Sequence, residues 1–333
     1  MDNKSTANFD DSILIDALNT SNWESSNIFD SLQAGNVTAI NATTVFWEGF
    51  EETVNKMMRW KERFNLYKDQ IIPALNVDDI YNAKSHNKTG IIIGWQNACP
   101  IENDLKRLHL FYELGVRIIQ ITYNERNLLG NGCYERNDEG LSNFGLDAIK
   151  LMNELGILID LSHVGDKTTN ETIEKSDVPV AITHANSREL FNHPRNKPND
   201  TLNLLKERDG VIGANGFPTL LRKDYESTIE DYVDAIEDLI EKVGINHVGI
   251  GSDFCQDQPY SFWQYLFSQQ GTKFKGIPTM TIKDPHHHPD GIEDPSQMPN
   301  IAEHLSDRGY SKLDVDKIIG GNWVRLFKTV WKQ

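Results

Sequence analysis

Cysteine is scarce in this chain, and long apolar runs are absent. Its 333 residues include three cysteines, Cys99, Cys133 and Cys255. An odd number at wide spacing is not typical of a disulfide framework, so we expect reduced thiols. No stretch approaches the roughly 20 consecutive apolar residues that a membrane-spanning helix requires. The sequence therefore predicts neither a disulfide-stabilised secreted domain nor a membrane protein.

Basic residues are also in deficit. Lys and Arg number 33 against 49 Asp and Glu, which gives a formal net charge of -16. A nucleic-acid backbone or an anionic membrane surface would be repelled, so we expect neither as a partner. Residues 1–25 lack the basic start and apolar run of a secretory signal. These features predict a cytoplasmic protein.

Short runs rich in Ile and Val recur along the chain, and each is followed by a segment with helical spacing of apolar residues. Most runs are too uniformly apolar to have a solvated face, which favours a buried parallel sheet. The eight predicted strands lie near Ile13–Asp16, Val37–Asn41, Gly90–Gly94, Val116–Thr122, Ile157–Asp160, Val178–Thr183, Gly210–Gly213 and His247–Gly251. Eight such units predict an α/β fold, a single (β/α)8 TIM barrel over residues 1–333.

Other segments are predicted from periodicity and turn residues. Glu51–Ala74 and Thr228–Val243 are amphipathic and are expected in the outer ring of helices. Residues 259–299 break the rhythm and predict a long excursion that covers the barrel mouth. Within it we interpret His286–His288 as an exposed loop rather than a metal site. We expect Gly320-Gly321-Asn322 to end a late helix.

Polar residues follow directly on the ends of the predicted strands. They are Gln96, Tyr123, Asn124, His163, His184 and Asp253. The carboxyl ends of barrel strands meet at one face, where active sites of this fold are built, so these residues are expected to converge. Imidazole and carboxylate groups suit zinc or a similar ion. A single His or Asp at a strand end is equally explained by a hydrogen bond to nearby backbone. Three ionisable groups at three strand ends favour a functional site at this face of the barrel.

Neighbouring residues offer supporting roles. In Asp160-Leu161-Ser162-His163, either Asp160 or Ser162 is placed to orient the imidazole, or alternatively to cap the next helix. Asn215 and Phe217 follow the seventh strand and are expected to shape the cavity.

Several motifs together resemble the membrane (renal) dipeptidase family. They are Gly140-Leu141-Ser142-Asn143-Phe144-Gly145, Met152-Asn153-Glu154-Leu155-Gly156, Asp160-Leu161-Ser162-His163, Thr183-His184, Pro194-Arg195-Asn196, Val248-Gly249-Ile250-Gly251-Ser252-Asp253-Phe254 and Gly320-Gly321-Asn322-Trp323-Val324-Arg325. The resemblance covers most of the chain. It implies a (β/α)8 barrel of the metallo-dependent hydrolase type, a binuclear zinc site, dipeptide hydrolysis and a homodimer.

The resemblance also implies roles for individual residues. His163 and His184 match the two imidazole ligands of one metal. Asp253 matches the aspartate beside the other metal, which takes the proton of the attacking water. Arg195 matches the arginine that binds the substrate carboxylate. We assign Asn124 to substrate binding as well.

The sequence departs from the family pattern at several positions. Leu18 and Thr20 stand where the family has a His-x-Asp pair of metal ligands, and Gln96 replaces the bridging glutamate. A neutral amide offers one oxygen but no charge to hold two cations. Tyr123 replaces a histidine that contacts the oxyanion, so we expect it to be catalytic and to bind substrate, because a phenol donates a comparable hydrogen bond.

These residues lead to one preferred hypothesis and two alternatives. We expect a dipeptidase-like hydrolase that cleaves the amide bond of a dipeptide or a small amino-acid-derived carboxylate. A divalent metal, zinc by preference, would be held by His163, His184 and Gln96, with one ion favoured over two and no ion as the alternative. The first alternative is a non-catalytic barrel that binds a small carboxylated ligand. The second is metal-independent chemistry at Cys99 or Cys255.

Overall fold

The computed structural model describes residues 8–271, 273–274 and 288–332, and its main sheet is built from parallel strands. These strands are β1 (Ile15–Asn19), β2 (Ala39–Val45), β3 (Ile71–Pro73), β4 (Thr89–Trp95), β5 (Val116–Gln120), β6 (Leu158–Asp160), β7 (Ala181–Ile182), β8 (Val211–Asn215) and β9 (Val248–Gly251). Eight of them follow one another in the order β1-β2-β4-β5-β6-β7-β8-β9, and β3 pairs only with β4. Because both faces of the barrel wall are covered, the strands are buried along most of their length.

The first and last barrel strands are joined at their carboxyl ends. Asn19 forms a parallel bridge with Phe254. The buried Asp16 carboxylate accepts hydrogen bonds from the backbone N–H of Ser252 at 2.9 Å and from its hydroxyl at 2.6 Å. Burial raises the pKa of Asp16 to about 7, against the opposing effect of these hydrogen bonds. The predicted (β/α)8 barrel is confirmed.

Helices surround the barrel, and a two-stranded hairpin lies outside it. The helices are α1 (Asn27–Ala34), α2 (Phe50–Leu66), α3 (Val77–Ser85), α4 (Lys106–Glu113), α5 (Asn143–Leu155), α6 (Asp166–Lys175), α7 (Asn199–Glu207), α8 (Ile229–Val243), α9 (Tyr260–Leu266), α10 (Pro299–Asp307), α11 (Lys312–Asp316) and α12 (Asn322–Val330). The hairpin pairs β10 (Ser268–Gln269) with β11 (Lys273–Phe274). In the described part of the chain, no helix has the length and apolar content to cross a bilayer.

Two sequence-based boundaries are wrong. The helix predicted over Glu51–Ala74 ends at Leu66, and Ile71–Pro73 forms β3 instead, since the residue before a proline favours an extended backbone. Gly320-Gly321-Asn322 does not end a helix, because a π-helical turn over Lys317–Gly321 leads directly into α12. A Cβ on Gly320 would lie 2.1 Å from the carbonyl oxygen of Ile13, so this glycine permits close packing rather than termination.

The segment after β9 supplies α9 and the hairpin. His286 and His287 of the histidine tract lie outside the described residues. His288 is buried, with its ring centroid 5.0 Å from that of Phe254, so the expected exposure is wrong for this residue. Its ring also lies edge-on to Phe217, which places it in an aromatic environment.

Candidate active site

Six of the seven predicted site residues line a single cavity at the carboxyl ends of the barrel strands. They are Gln96 after β4, Tyr123 and Asn124 after β5, His163 after β6, Arg195 between β7 and α7, and Asp253 after β9. The seventh, His184, follows β7, is fully buried and contacts His163. The fold therefore brings together side chains that lie as far apart in the sequence as Gln96 and Asp253.

The two histidines face each other through their Nε2 atoms, which are 3.0 Å apart. On the far side of each ring, Nδ1 has a separate partner. His163 Nδ1 lies 2.7 Å from the amide oxygen of Asn124, and His184 Nδ1 lies 2.8 Å from the hydroxyl of Thr183. Both rings are therefore fixed in orientation by residues outside the cavity centre.

These partners decide where the ring protons lie. An amide oxygen only accepts, so His163 carries its proton on Nδ1. The Thr183 hydroxyl donates to the Asp160 carboxylate at 2.7 Å and therefore accepts from His184 Nδ1. In the neutral rings both Nε2 atoms then present lone pairs to each other. Burial, reinforced by the Arg195 charge, holds the pKa of both imidazoles well below the usual range, which disfavours a proton between them.

Two lone pairs that converge in this way suit a metal cation. Zinc–nitrogen bonds of about 2.0–2.1 Å at a tetrahedral angle place two ligand nitrogens about 3.3–3.4 Å apart. The observed Nε2 separation of 3.0 Å is close to that value. The donor set therefore fits a single ion bound between the two imidazoles.

Asp160 lies outside the cavity and holds the residues next to the two histidines in place. Its carboxylate accepts from the Ser162 hydroxyl at 2.6 Å and from the Thr183 backbone N–H at 2.9 Å. The Ser162 hydroxyl in turn accepts from the backbone N–H of His184 at 3.1 Å. The alternative role as a helix cap is wrong, since Gly165 occupies the N-cap of α6.

Arg195 carries a buried positive charge. Its side chain is 3% exposed and donates to the carbonyl oxygens of Ser162 at 2.5 Å and His184 at 3.0 Å. Its guanidinium lines the cavity and acts electrostatically on Asp253, but among the described residues no carboxylate lies within ion-pair distance of it. A buried guanidinium without a carboxylate partner is costly, which favours an anionic ligand.

Asp253 and Tyr123 differ in protonation state, so one can accept a proton and the other can donate a hydrogen bond. Asp253 adopts a left-handed backbone with φ of 61° and accepts from the Asn215 amide at 3.3 Å. Burial raises the pKa of Asp253 to about 6, although Arg195 opposes this effect. Burial, with the Asp253 charge, raises the pKa of Tyr123 well above its usual value. At neutral pH the carboxylate is mainly ionised and the phenol retains its proton.

The family is decided by a match along nearly the whole chain. Residues 17–262 and 262–333 match the sequence profile of the membrane dipeptidase family, peptidase family M19. The chain belongs to this family. The resemblance inferred from the motifs is therefore confirmed, and divalent metal chemistry is the expectation for a member of it.

Individual relatives agree with this assignment. A dipeptidase, tcpJ, from Claviceps purpurea is 30% identical over 80% of this chain and 56% of its own length. The dipeptidase aclJ of Aspergillus oryzae is 28% identical over 87% of this chain and 64% of its own length. The chain thus spans little more than half the length of these curated relatives. A solved amidohydrolase from Pseudomonas aeruginosa is 38% identical, with a TM-score of 0.94 over 97% of this chain and 98% of its own.

The departures from the membrane dipeptidase pattern are visible in the structure. Leu18 is buried and has no donor atom in its side chain. The Thr20 hydroxyl donates to the Phe254 carbonyl at 3.0 Å and contacts the Cys255 sulfur at 2.9 Å. Gln96 donates its amide N–H to the Thr43 hydroxyl at 3.2 Å. Its amide oxygen therefore stays available to coordinate a cation. Among described residues no group of three His, Cys, Asp or Glu side chains is placed to hold a metal. The ligands that the family pattern gives to a second metal are thus replaced at Leu18, Thr20 and Gln96.

The cysteines do not support the thiol hypothesis. Cys255 lines the cavity, yet burial raises its pKa well above the usual range. Burial also raises the pKa of Cys99 to about 11. Thiolates are the reactive form, so both side chains are poor nucleophiles at neutral pH.

Several cavity residues escaped the sequence reasoning. Phe217 lines the cavity as the sequence predicts, and the cavity also contains four residues that the sequence analysis does not predict: Phe46, Trp263, Leu266 and Phe267. Phe46 follows β2, and the other three come from α9 and the residue after it. The aromatic-rich run at positions 260–267 was the available signal.

Proposed function

We propose that this chain is a dipeptidase-like hydrolase that cleaves the amide bond of a dipeptide or a small amino-acid-derived carboxylate. A single divalent cation would be held by His163 and His184 with the amide oxygen of Gln96. The observation that carries the proposal is the pair of Nε2 atoms facing each other at 3.0 Å with their protons directed elsewhere.

Each remaining side chain has a task that follows from its surroundings. When bound, a divalent cation supplies Lewis acidity and lowers the pKa of water. Arg195 binds the substrate carboxylate through its planar guanidinium, which has no carboxylate partner in the described structure. Asp253, with a pKa of about 6, accepts the proton of the attacking water near neutral pH. Tyr123 keeps its proton and donates a hydrogen bond to the developing oxyanion.

The proposal includes zinc as the ion and a homodimer as the assembly, and the support for both is the family. It also includes a cytoplasmic location. All three cysteines are free, which is typical of proteins in a reducing compartment.

Metal analysis tests the proposal directly. Protein purified after growth with zinc, manganese or iron is analysed for bound metal and assayed against a dipeptide panel. We expect one equivalent per chain and hydrolysis, with both lost in His163→Ala. His247→Ala is the matched control, because His247 lies at the opposite end of the barrel just before β9.

Three results would contradict the proposal. Near-zero metal together with no hydrolysis of any dipeptide would favour the non-catalytic barrel. Two equivalents of metal would contradict the single-cation site. Unchanged metal content in His163→Ala would show that the ion lies elsewhere.

A further inference from the structure

One side of the cavity is formed by an aromatic wall. This wall consists of Phe46, Phe217, Trp263, Leu266 and Phe267, all of which are at most 8% exposed. Together with Tyr123 they form an apolar cluster that is separate from the main barrel core. These side chains pack with one another around the cavity rather than with the main barrel core.

Ring contacts hold the aromatic wall in shape. The Trp263 ring stacks on Phe267 and tilts against Phe217, each with a centroid separation of 6.0 Å. Phe46 meets Tyr123 edge-on at 5.3 Å. Such offset and edge-to-face pairs stabilise aromatic clusters beyond simple burial. A preformed apolar surface is therefore present beside the predicted catalytic groups.

The cavity contains few charged side chains, and the proposed function already assigns a role to each of them. Among the described lining residues, Arg195 supplies the guanidinium and Asp253 the carboxylate. The proposed function assigns the first to the substrate carboxylate and the second to proton transfer. A further charged group of the substrate would lose its hydration against the aromatic wall without gaining a partner, and this cost is large.

We propose that the substrate presents a bulky, uncharged apolar side chain, of the size of Leu or Phe, to the aromatic wall. The inference rests on the proposed function and names the substrate class of the same site. Discrimination in an apolar pocket reaches roughly tenfold or more for each methylene group. A Phe-containing dipeptide is therefore expected to exceed its Gly counterpart by at least about 100-fold in kcat/KM.

The test is a matched panel of Xaa-Gly and Gly-Xaa dipeptides, with Gly, Ala, Leu, Phe, Lys or Glu as Xaa. In one of the two positions kcat/KM should rise from Gly to Leu and Phe, and the Lys and Glu peptides should be the poorest. A preference for Gly or Ala would overturn the proposal. So would a preference for Lys, which would show that the rings bind a cation.

Variants on α9 link the preference to the aromatic wall. Trp263→Ala should lower kcat/KM for the Phe peptide about tenfold or more beyond any change in the Gly–Gly value. Phe267→Ala provides a second test should the tryptophan variant fail to fold. Tyr260→Ala is the matched control, because this side chain lies on the same helix but is 67% exposed. An equal loss for all peptides in both wall variants would contradict the assignment.

A binding measurement separates this inference from the hydrolase itself. Calorimetry with N-acetyl-Phe, N-acetyl-Gly and N-acetyl-Lys reports on the cavity without any reaction. Binding of N-acetyl-Phe at least about tenfold tighter than the others would support the substrate class even in the absence of hydrolysis. Equal or undetectable binding of all three would overturn it.

Discussion

Replacing Arg195 by methionine tests how the site recognises its substrate. The guanidinium is 3% exposed and is bonded to two backbone carbonyls rather than to a carboxylate. Methionine keeps much of the side-chain length and removes the charge. The variant should therefore lose affinity for a substrate carboxylate while the cavity keeps its approximate shape.

The size of the effect follows from the type of bond that is lost. A hydrogen bond to a charged group contributes about 1.5–3 kcal/mol, which corresponds to roughly 10- to 150-fold in kcat/KM. The assay compares one dipeptide with its C-terminal amide. The wild-type protein should favour the free carboxylate by this factor, and Arg195→Met should treat the two substrates about equally.

A second consequence separates this role from a purely structural one. Arg195 lowers the pKa of Asp253, so its removal should raise that pKa above about 6 and move the acid limb of the pH profile upward. Arg188→Met is the matched control, because Arg188 bonds Asp166 and does not line the cavity. An unchanged preference for the carboxylate in Arg195→Met would refute the reasoning.

Two further predictions concern Asp253 and the barrel wall. Because Asp253 accepts a proton only when ionised, kcat/KM should fall about tenfold per pH unit below about pH 6. A pH-rate profile checks this, and a flat profile down to pH 5 would contradict it. A Cβ on Gly251 would lie 1.8 Å from the Thr183 carbonyl oxygen, so Gly251→Ala should lower the free energy of unfolding in urea by about 3 kcal/mol. A Cβ on Gly49 would lie 3.7 Å from its nearest neighbour, so Gly49→Ala should lower the free energy of unfolding by less than about 1 kcal/mol. Equal losses of stability in the two variants would contradict the packing argument.

The barrel and the position of its polar side chains follow from local patterns. Apolar runs such as Ile157–Asp160 predict buried strands, and in this fold the carboxyl ends of the strands meet at one face of the barrel. His163 and Asp253 could therefore be placed on one rim without any coordinates. Their contribution to catalysis stays a prediction, which the metal analysis and the pH-rate profile test.

The features that the sequence did not reveal depend on contacts between distant segments. Strand β3 has only three residues and is defined by its pairing with β4. The π-helical turn at Lys317–Gly321 places Gly320 against Ile13, which lies more than 300 positions earlier. Trp263 joins the cavity through α9, and no periodicity within α9 indicates that it faces the strand ends.

The seam between β1 and β9 affects how the protein matures on the ribosome. Asp16 receives its hydrogen bonds from Ser252, a residue translated 236 positions later. Until that late segment emerges, the early carboxylate has no such donors and the growing sheet keeps two open edges, which invite association with other chains. The wall of the barrel can therefore close only after β9 has been synthesised.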